Sequence, residues 1–113
     1  MVYPNIVGTN IPLSDSIRSH IEERLSPVID RFETELTALS VRFGDCNGDK
    51  GGVDKQCRIE AVVGHAGHVV AEETNRDMYA AIDVAADRLM RAISHKVDRR
   101  QQLRRRPRSI RMS

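Results

Sequence analysis

The hydrophobic pattern of this chain changes its period twice, and that change restricts the possible folds more than any other feature. Ile17, Ile21, Leu25, Val28, Ile29 and Phe32 recur at intervals of three and four, the stripe of an amphipathic helix. Leu39, Val41 and Phe43 then alternate with Ser40 and Arg42, and Cys57, Ile59, Ala61 and Val63 alternate in the same way, as half-buried strands do. Val69-Val70-Ala71-Glu72-Glu73 reads as a further strand. From Met78 the helical interval returns through Ile82, Ala85, Ala86, Leu89, Ile93 and Val97. One apolar stripe per helix is what two helices on the same face of one sheet require.

Turn and cap chemistry sets the boundaries. Val2 to Val7 reads as a short strand closed by Gly8-Thr9-Asn10, and Pro4, which cannot donate to a ladder, assigns it to a sheet edge. Ser14 supplies an N-cap oxygen and Asp15 places negative charge in the first turn of the first helix. Pro27 removes one backbone hydrogen bond and is expected to kink that helix without ending it. Thr74-Asn75-Arg76-Asp77 has the spacing of a capping box with Thr74 as the cap. The glycine-rich stretch from Gly44 to Gly52 makes a long hairpin connection, and Gly64-His65-Ala66-Gly67 a tighter one.

The resulting order is β-α-β-β-β-α. A helix between the first two strands implies a right-handed parallel crossover, and the three later strands form an antiparallel meander. The predicted fold is an α+β two-layer sandwich, a four-stranded mixed sheet with two helices on one face, over residues 1–103. Residues 104–113 read as a disordered basic tail. No stretch approaches the roughly 18 apolar residues of a membrane span, the start lacks a secretion signal, and two cysteines make no disulfide framework. A cytoplasmic location without membrane contact is expected.

The net charge of +2 conceals an asymmetry: residues 1–75 carry −5, whereas residues 76–113 carry +7. Clustered Lys and Arg gain affinity for polyanions by releasing counterions from phosphates. On the second helix Arg88, Arg91, His95 and Arg99 follow one stripe roughly opposite the buried face, with Lys96 nearer the boundary and Asp83, Asp87 and Asp98 on a neighbouring stripe. Asp87 and Arg91 are spaced for an i,i+4 pair. His20, Arg24 and Arg31 flank the apolar stripe of the first helix, so side-by-side helices would join these flanks into a basic groove suited to phosphate backbone. The plainer interpretation is a solvated face, and seven arginines from Arg99 to Arg111 without an intervening acid weigh against it.

Of the four aromatics, Phe32 and Phe43 fall on core patterns, which leaves no base-stacking platform and favours backbone or shape recognition of structured RNA. Tyr79 borders the Met78 and Ile82 stripe and is expected to pack across the end of the sheet. An enzyme finds no support. The Gly48 to Gly52 cluster lacks a phosphate-loop ending, and Glu22-Glu23 and Glu72-Glu73 are adjacent pairs that diverge. Cys46, Cys57, His65 and His68 lack zinc-site spacing. No metal, cofactor or small-molecule substrate is expected.

Asp77-Met78-Tyr79-Ala80-Ala81-Ile82-Asp83, opening a helix after a meander, resembles the signature of the ribosome hibernation promoting factor and ribosome-associated inhibitor family, in its short form. The stretch from Gly8 to Leu25 is similar to the family's opening, and the resemblance spans Val2 to Leu103. It implies a fold akin to the double-stranded-RNA-binding domain and an activity without catalysis. The partner it implies is the small ribosomal subunit and the whole ribosome, chiefly ribosomal RNA. The protein would occupy the messenger and transfer RNA channel between head and body and hold ribosomes inactive under stress or in stationary phase. By position, the residues implied to contact ribosomal RNA are Arg18 and Arg24 on the first helix and Arg88, Arg91, His95, Lys96 and Arg99 on the second. The long family form adds a C-terminal dimerisation domain for which 113 residues are too few. The competing expectation is a general RNA- or DNA-binding module acting through the helix stripe and the tail.

Overall fold

The structure, a computed structural model, describes residues 2–45, 55–64 and 67–105, with the side chains of the last helix described to residue 98. Its elements are β1 (Asn5–Gly8), α1 (Asp15–Arg31), β2 (Leu36–Asp45), β3 (Lys55–Val63), β4 (Gly67–Asn75) and α2 (Met78–Arg105). The four strands form one sheet in the order β1-β2-β3-β4. β1 runs parallel to β2, whereas β2, β3 and β4 are antiparallel neighbours. The expected α+β architecture, with its mixed sheet and edge placement of the first strand, is therefore the one observed.

Local chemistry explains the element ends. Ser14 Oγ accepts from the Ile17 amide at 3.2 Å, which satisfies one of the free donors at the start of α1. The helix continues through Pro27 to Arg31 as one element. Gly64 and Gly67 have φ values of +45° and +95°, so the turn between β3 and β4 uses backbone that residues with a Cβ rarely adopt. The start of α2 differs from the expected capping box. β4 continues to Asn75, and Asp77, not Thr74, is the cap: its Oδ1 accepts from the Tyr79 amide at 3.0 Å and its carbonyl from Ala81 at 3.0 Å. Asn75 Oδ1 in turn accepts from the Asp77 amide at 3.2 Å. A Thr–Asp spacing identifies a capping box only where the Thr has left the strand, and here the pairing of Gln56 with Thr74 holds it in the ladder.

A single core joins the sheet to both helices. Ile21 and Leu25 of α1, Val41, Phe43, Cys57, Ile59, Ala61 and Val63 of the sheet, and Ile82, Leu89 and Ile93 of α2 are all buried in it. Leu36 and Leu39, three apart, both face inward because a register shift between Leu36 and Ala38 inserts an extra residue and restores the phase. The alternate strand residues, Arg42, Arg58, Val70 and Glu72 among them, lie on the opposite, uncovered face. The α2 backbone runs to Arg105, two residues into the segment expected as a tail. The rest of that tail, and most of the Gly44 to Gly52 connection, fall outside the described residues.

Candidate nucleic-acid interface

The helix stripes meet in a way that divides the expected cations into three groups. The flank of α1 carrying His20 and Arg24 does face α2, but it meets the aspartates there. His20 Nε2 lies 2.7 Å from Asp83 Oδ1, Arg24 Nε lies 3.1 Å from the same oxygen, and an Arg24 terminal nitrogen lies 3.8 Å from Asp87. Arg24 Nε is itself buried and its approach to Asp83 is off the hydrogen-bonding line, so the contact there is one of charge with charge. The seam between the helices is a lattice of opposite charges in place of the expected basic groove. Asp87 turns to Arg24 instead of pairing with Arg91 along its own helix.

Arg88 and Lys96 form the second group, braced against β4. Arg88 donates to the Glu72 carbonyl at 2.7 Å and to Glu73 Oε1 at 2.8 Å, and Lys96 Nζ donates to the His68 carbonyl at 3.2 Å. Both keep their positive charge at the α2 surface, but each is fixed in direction.

Arg91 and His95 form the third group. They are exposed, they lie one helical turn apart, and no residue among those described pairs with either side chain. Arg99 continues the same stripe in the α2 backbone, its side chain outside those described. Arg18 on α1 is also exposed without a described partner. Two residues before His20, it is turned about 160° round α1 from the flank that meets α2, so it does not join the Arg91–His95 ridge. Sequence reasoning passed over Arg76, exposed just before α2, and over Arg42 and Arg58 on the uncovered sheet face.

The Tyr79 ring stands edge-on to the His20 ring at 4.9 Å and 88°, so it bridges to α1, and 38% of the residue stays exposed. Cys57 is fully buried, and burial pushes its thiol up to about 12. Cys46 and His65 lie outside the described residues. Among the described residues no group of three His, Cys, Asp or Glu could hold a metal ion, and no helix is long and apolar enough to cross a membrane.

These features define a small α+β domain whose last helix turns Arg91 and His95, without partners among the described residues, to solvent. The family described as Sigma 54 modulation protein / S30EA ribosomal protein matches residues 5–101, and the chain belongs to it. It is 36% identical over 95 residues to a ribosome hibernation promoting factor of Azotobacter vinelandii, covering 81% of this chain and 80% of that protein. It is 34% identical over 91 residues to a ribosome hibernation promotion factor of Deinococcus radiodurans, covering 76% of this chain and 44% of that one. The chain spans less than half the length of several longer relatives, with coverage of 32%, 44% and 45%. The Thermus thermophilus Protein Y N-terminal domain superimposes with a TM-score of 0.66 at 30% identity, covering 83% of this chain and 96% of that structure.

Proposed function

We propose that this protein binds the ribosome through the exposed face of α2 and holds it inactive, with the messenger and transfer RNA channel of the small subunit as its seat and ribosomal RNA as its main contact. The observation that carries this reading is the Arg91–His95 ridge, exposed nitrogen donors without a partner among the described residues, in a chain whose relatives are named ribosome hibernation factors. Arg91 supplies a planar fork suited to phosphate oxygens, and His95 extends the line by one turn. Arg88 and Lys96 flank that line on α2, and Arg99 continues its stripe along the helix. Arg18 and Arg24 contribute on the α1 side, Arg24 through its charge while it remains joined to Asp83. Binding of this kind acts by occupancy and needs no bond-making step.

Sedimentation through a sucrose gradient tests the proposal. The protein should co-migrate with small subunits or whole ribosomes, and Arg91→Glu with His95→Glu should leave it at the top of the gradient with an unchanged melting temperature. Equal partition of the unaltered protein onto free RNA or DNA duplexes would instead show a general nucleic-acid binder. Co-migration of the folded double variant at wild-type affinity would refute the α2 assignment.

A further inference from the structure

The sheet face that no helix covers carries an arrangement that does little for the fold. Arg42 of β2 and Arg58 of β3 are direct cross-strand partners, with Val7 beside Arg42 and Glu72 beside Arg58 in the same row. Like charges placed directly opposite are destabilising, so the pair is a cost unless something anionic lies over it. The acids on this face are engaged toward β4. Glu72 takes Arg58 at 3.4 Å and Gln56 at 3.3 Å, and Glu60 takes His68 at 3.3 Å. Arg42 has no partner among the described residues.

A depression of about 350 Å³ lies on this face, lined by both arginines, Asn5, Ser40, Glu60 and the valines Val7 and Val41. A second hollow of about 100 Å³ adjoins it, again lined by Arg42 and Arg58 together with Gln56 and Thr9. The two guanidiniums thus form the wall shared by both hollows, and the carboxylates that also line them, Glu60 and Asp45, are engaged by His68 and Lys55. Of the residues that line the two hollows the one aromatic is Phe43, which is buried in the core, so neither hollow offers the exposed aromatic anchor typical of a protein interface. Guanidinium forks about 5 Å apart at the backbone suit the oxygens of a phosphodiester.

We propose that Arg42 and Arg58 form a second RNA-backbone site on the open sheet face, independent of α2. This rests on the ribosome reading for the identity of the RNA. The domain would then grip phosphates on both of its broad faces, as a molecule seated between two RNA walls must, and Arg42 would gain from RNA the compensation that Arg58 already draws in part from Glu72.

The test is the salt dependence of binding to purified ribosomes, compared between the unaltered protein and Arg42→Gln with Arg58→Gln. Loss of two phosphate contacts should flatten the log–log salt slope by roughly 1.4–1.8 and weaken binding about tenfold or more at low salt. The melting temperature should hold or rise, because the substitutions remove a like-charge pair. An unchanged slope and affinity in the folded variant would overturn the proposal. A parallel arm titrates the isotope-labelled protein with a short RNA duplex and with inorganic phosphate, following the Nε–H signals of Arg42 and Arg58. Shifts with RNA at concentrations where inorganic phosphate gives none support the site. Equal shifts with both probes mean adventitious anion binding and overturn it. If the unaltered protein fails to bind ribosomes, the ribosome reading falls, and the duplex arm then decides the sheet-face site by itself: movement confined to α2 signals counts against it.

Discussion

His20 of α1 and Asp83 of α2 approach to 2.7 Å, and the same Asp83 oxygen lies 3.1 Å from Arg24, so one carboxylate gathers an imidazole and a guanidinium from the neighbouring helix. All three side chains are partly exposed, at 26%, 43% and 40%, which limits each pair to a few tenths of a kcal/mol up to about 1 kcal/mol. Asp83→Asn should lower stability by about 1 kcal/mol or less, a melting shift of a few degrees, and the loss should shrink in high salt. Calorimetry of the variant at two ionic strengths measures both effects, and a salt-independent loss would mean that packing around Tyr79, not charge, holds the seam.

The cap of α2 predicts a separate cost. Asp77→Ala removes the acceptor of the Tyr79 amide and should destabilise the domain by about 1 kcal/mol. Thr74→Ala, which touches only the exposed strand end, should cost less in the same denaturant titration. The reverse order would restore the capping box as the correct description.

Arg88 and Arg91 are neighbours on one stripe with different internal obligations. Arg88→Ala loses two bonds to β4 and should lower stability by roughly 1 kcal/mol in addition to any loss of ribosome affinity. Arg91→Ala should leave the melting curve unchanged and alter affinity alone. Measuring both quantities on both variants separates bracing from binding.

Gly8 stands where a Cβ would run into the Ile11 carbonyl and the Phe43 ring. Backbone cannot yield as a long side chain can, so Gly8→Ala should cost about 1–3 kcal/mol and loosen the β1 end of the sheet. An urea titration that finds Gly8→Ala neutral would show that this approach is not held in solution.

The Cys57 thiol offers a pH signature. Its ordinary value is 9.0, and burial raises it to about 12. In the unfolded chain the proton is lost near 9 while the folded protein retains it, so this contribution to stability is intact below pH 9 and declines as pH rises toward 12. On a Cys46→Ser background, a thiol reagent at neutral pH should label Cys57 only at the rate of unfolding. Rapid labelling of the folded protein would contradict its burial.

Much of this architecture was legible in the sequence because burial imposes a period. The stripes from Ile17 to Phe32 and from Met78 to Val97, and the alternation around Val41 and Ile59, led directly to two helices over one sheet. The charges were harder to place. A helical wheel puts His20 and Arg24 on one flank and Asp83 and Asp87 on another, but only the packing of α1 beside α2 shows that the two flanks meet. Arg42 and Arg58 were invisible as a pair for a related reason: their opposition depends on the β2–β3 register, and a connection as long as residues 46–54 does not set a register by turn type. Tyr79 was assigned to the sheet end from its neighbours Met78 and Ile82, and its contact with the His20 ring depends on the packing of the two helices, which the sequence does not show.

The pairing of β1 with β2 has a consequence for the order in which the domain assembles. β2, β3 and β4 find one another as successive neighbours, whereas Asn5 must wait for Ser40, beyond the whole of α1. Closing so long a loop is entropically slow. The first strand synthesised should thus be the last to dock and the first to open, and the amides of Ile6 and Gly8 should exchange with solvent well before those of Ile59 and Ala61 at the centre of the meander.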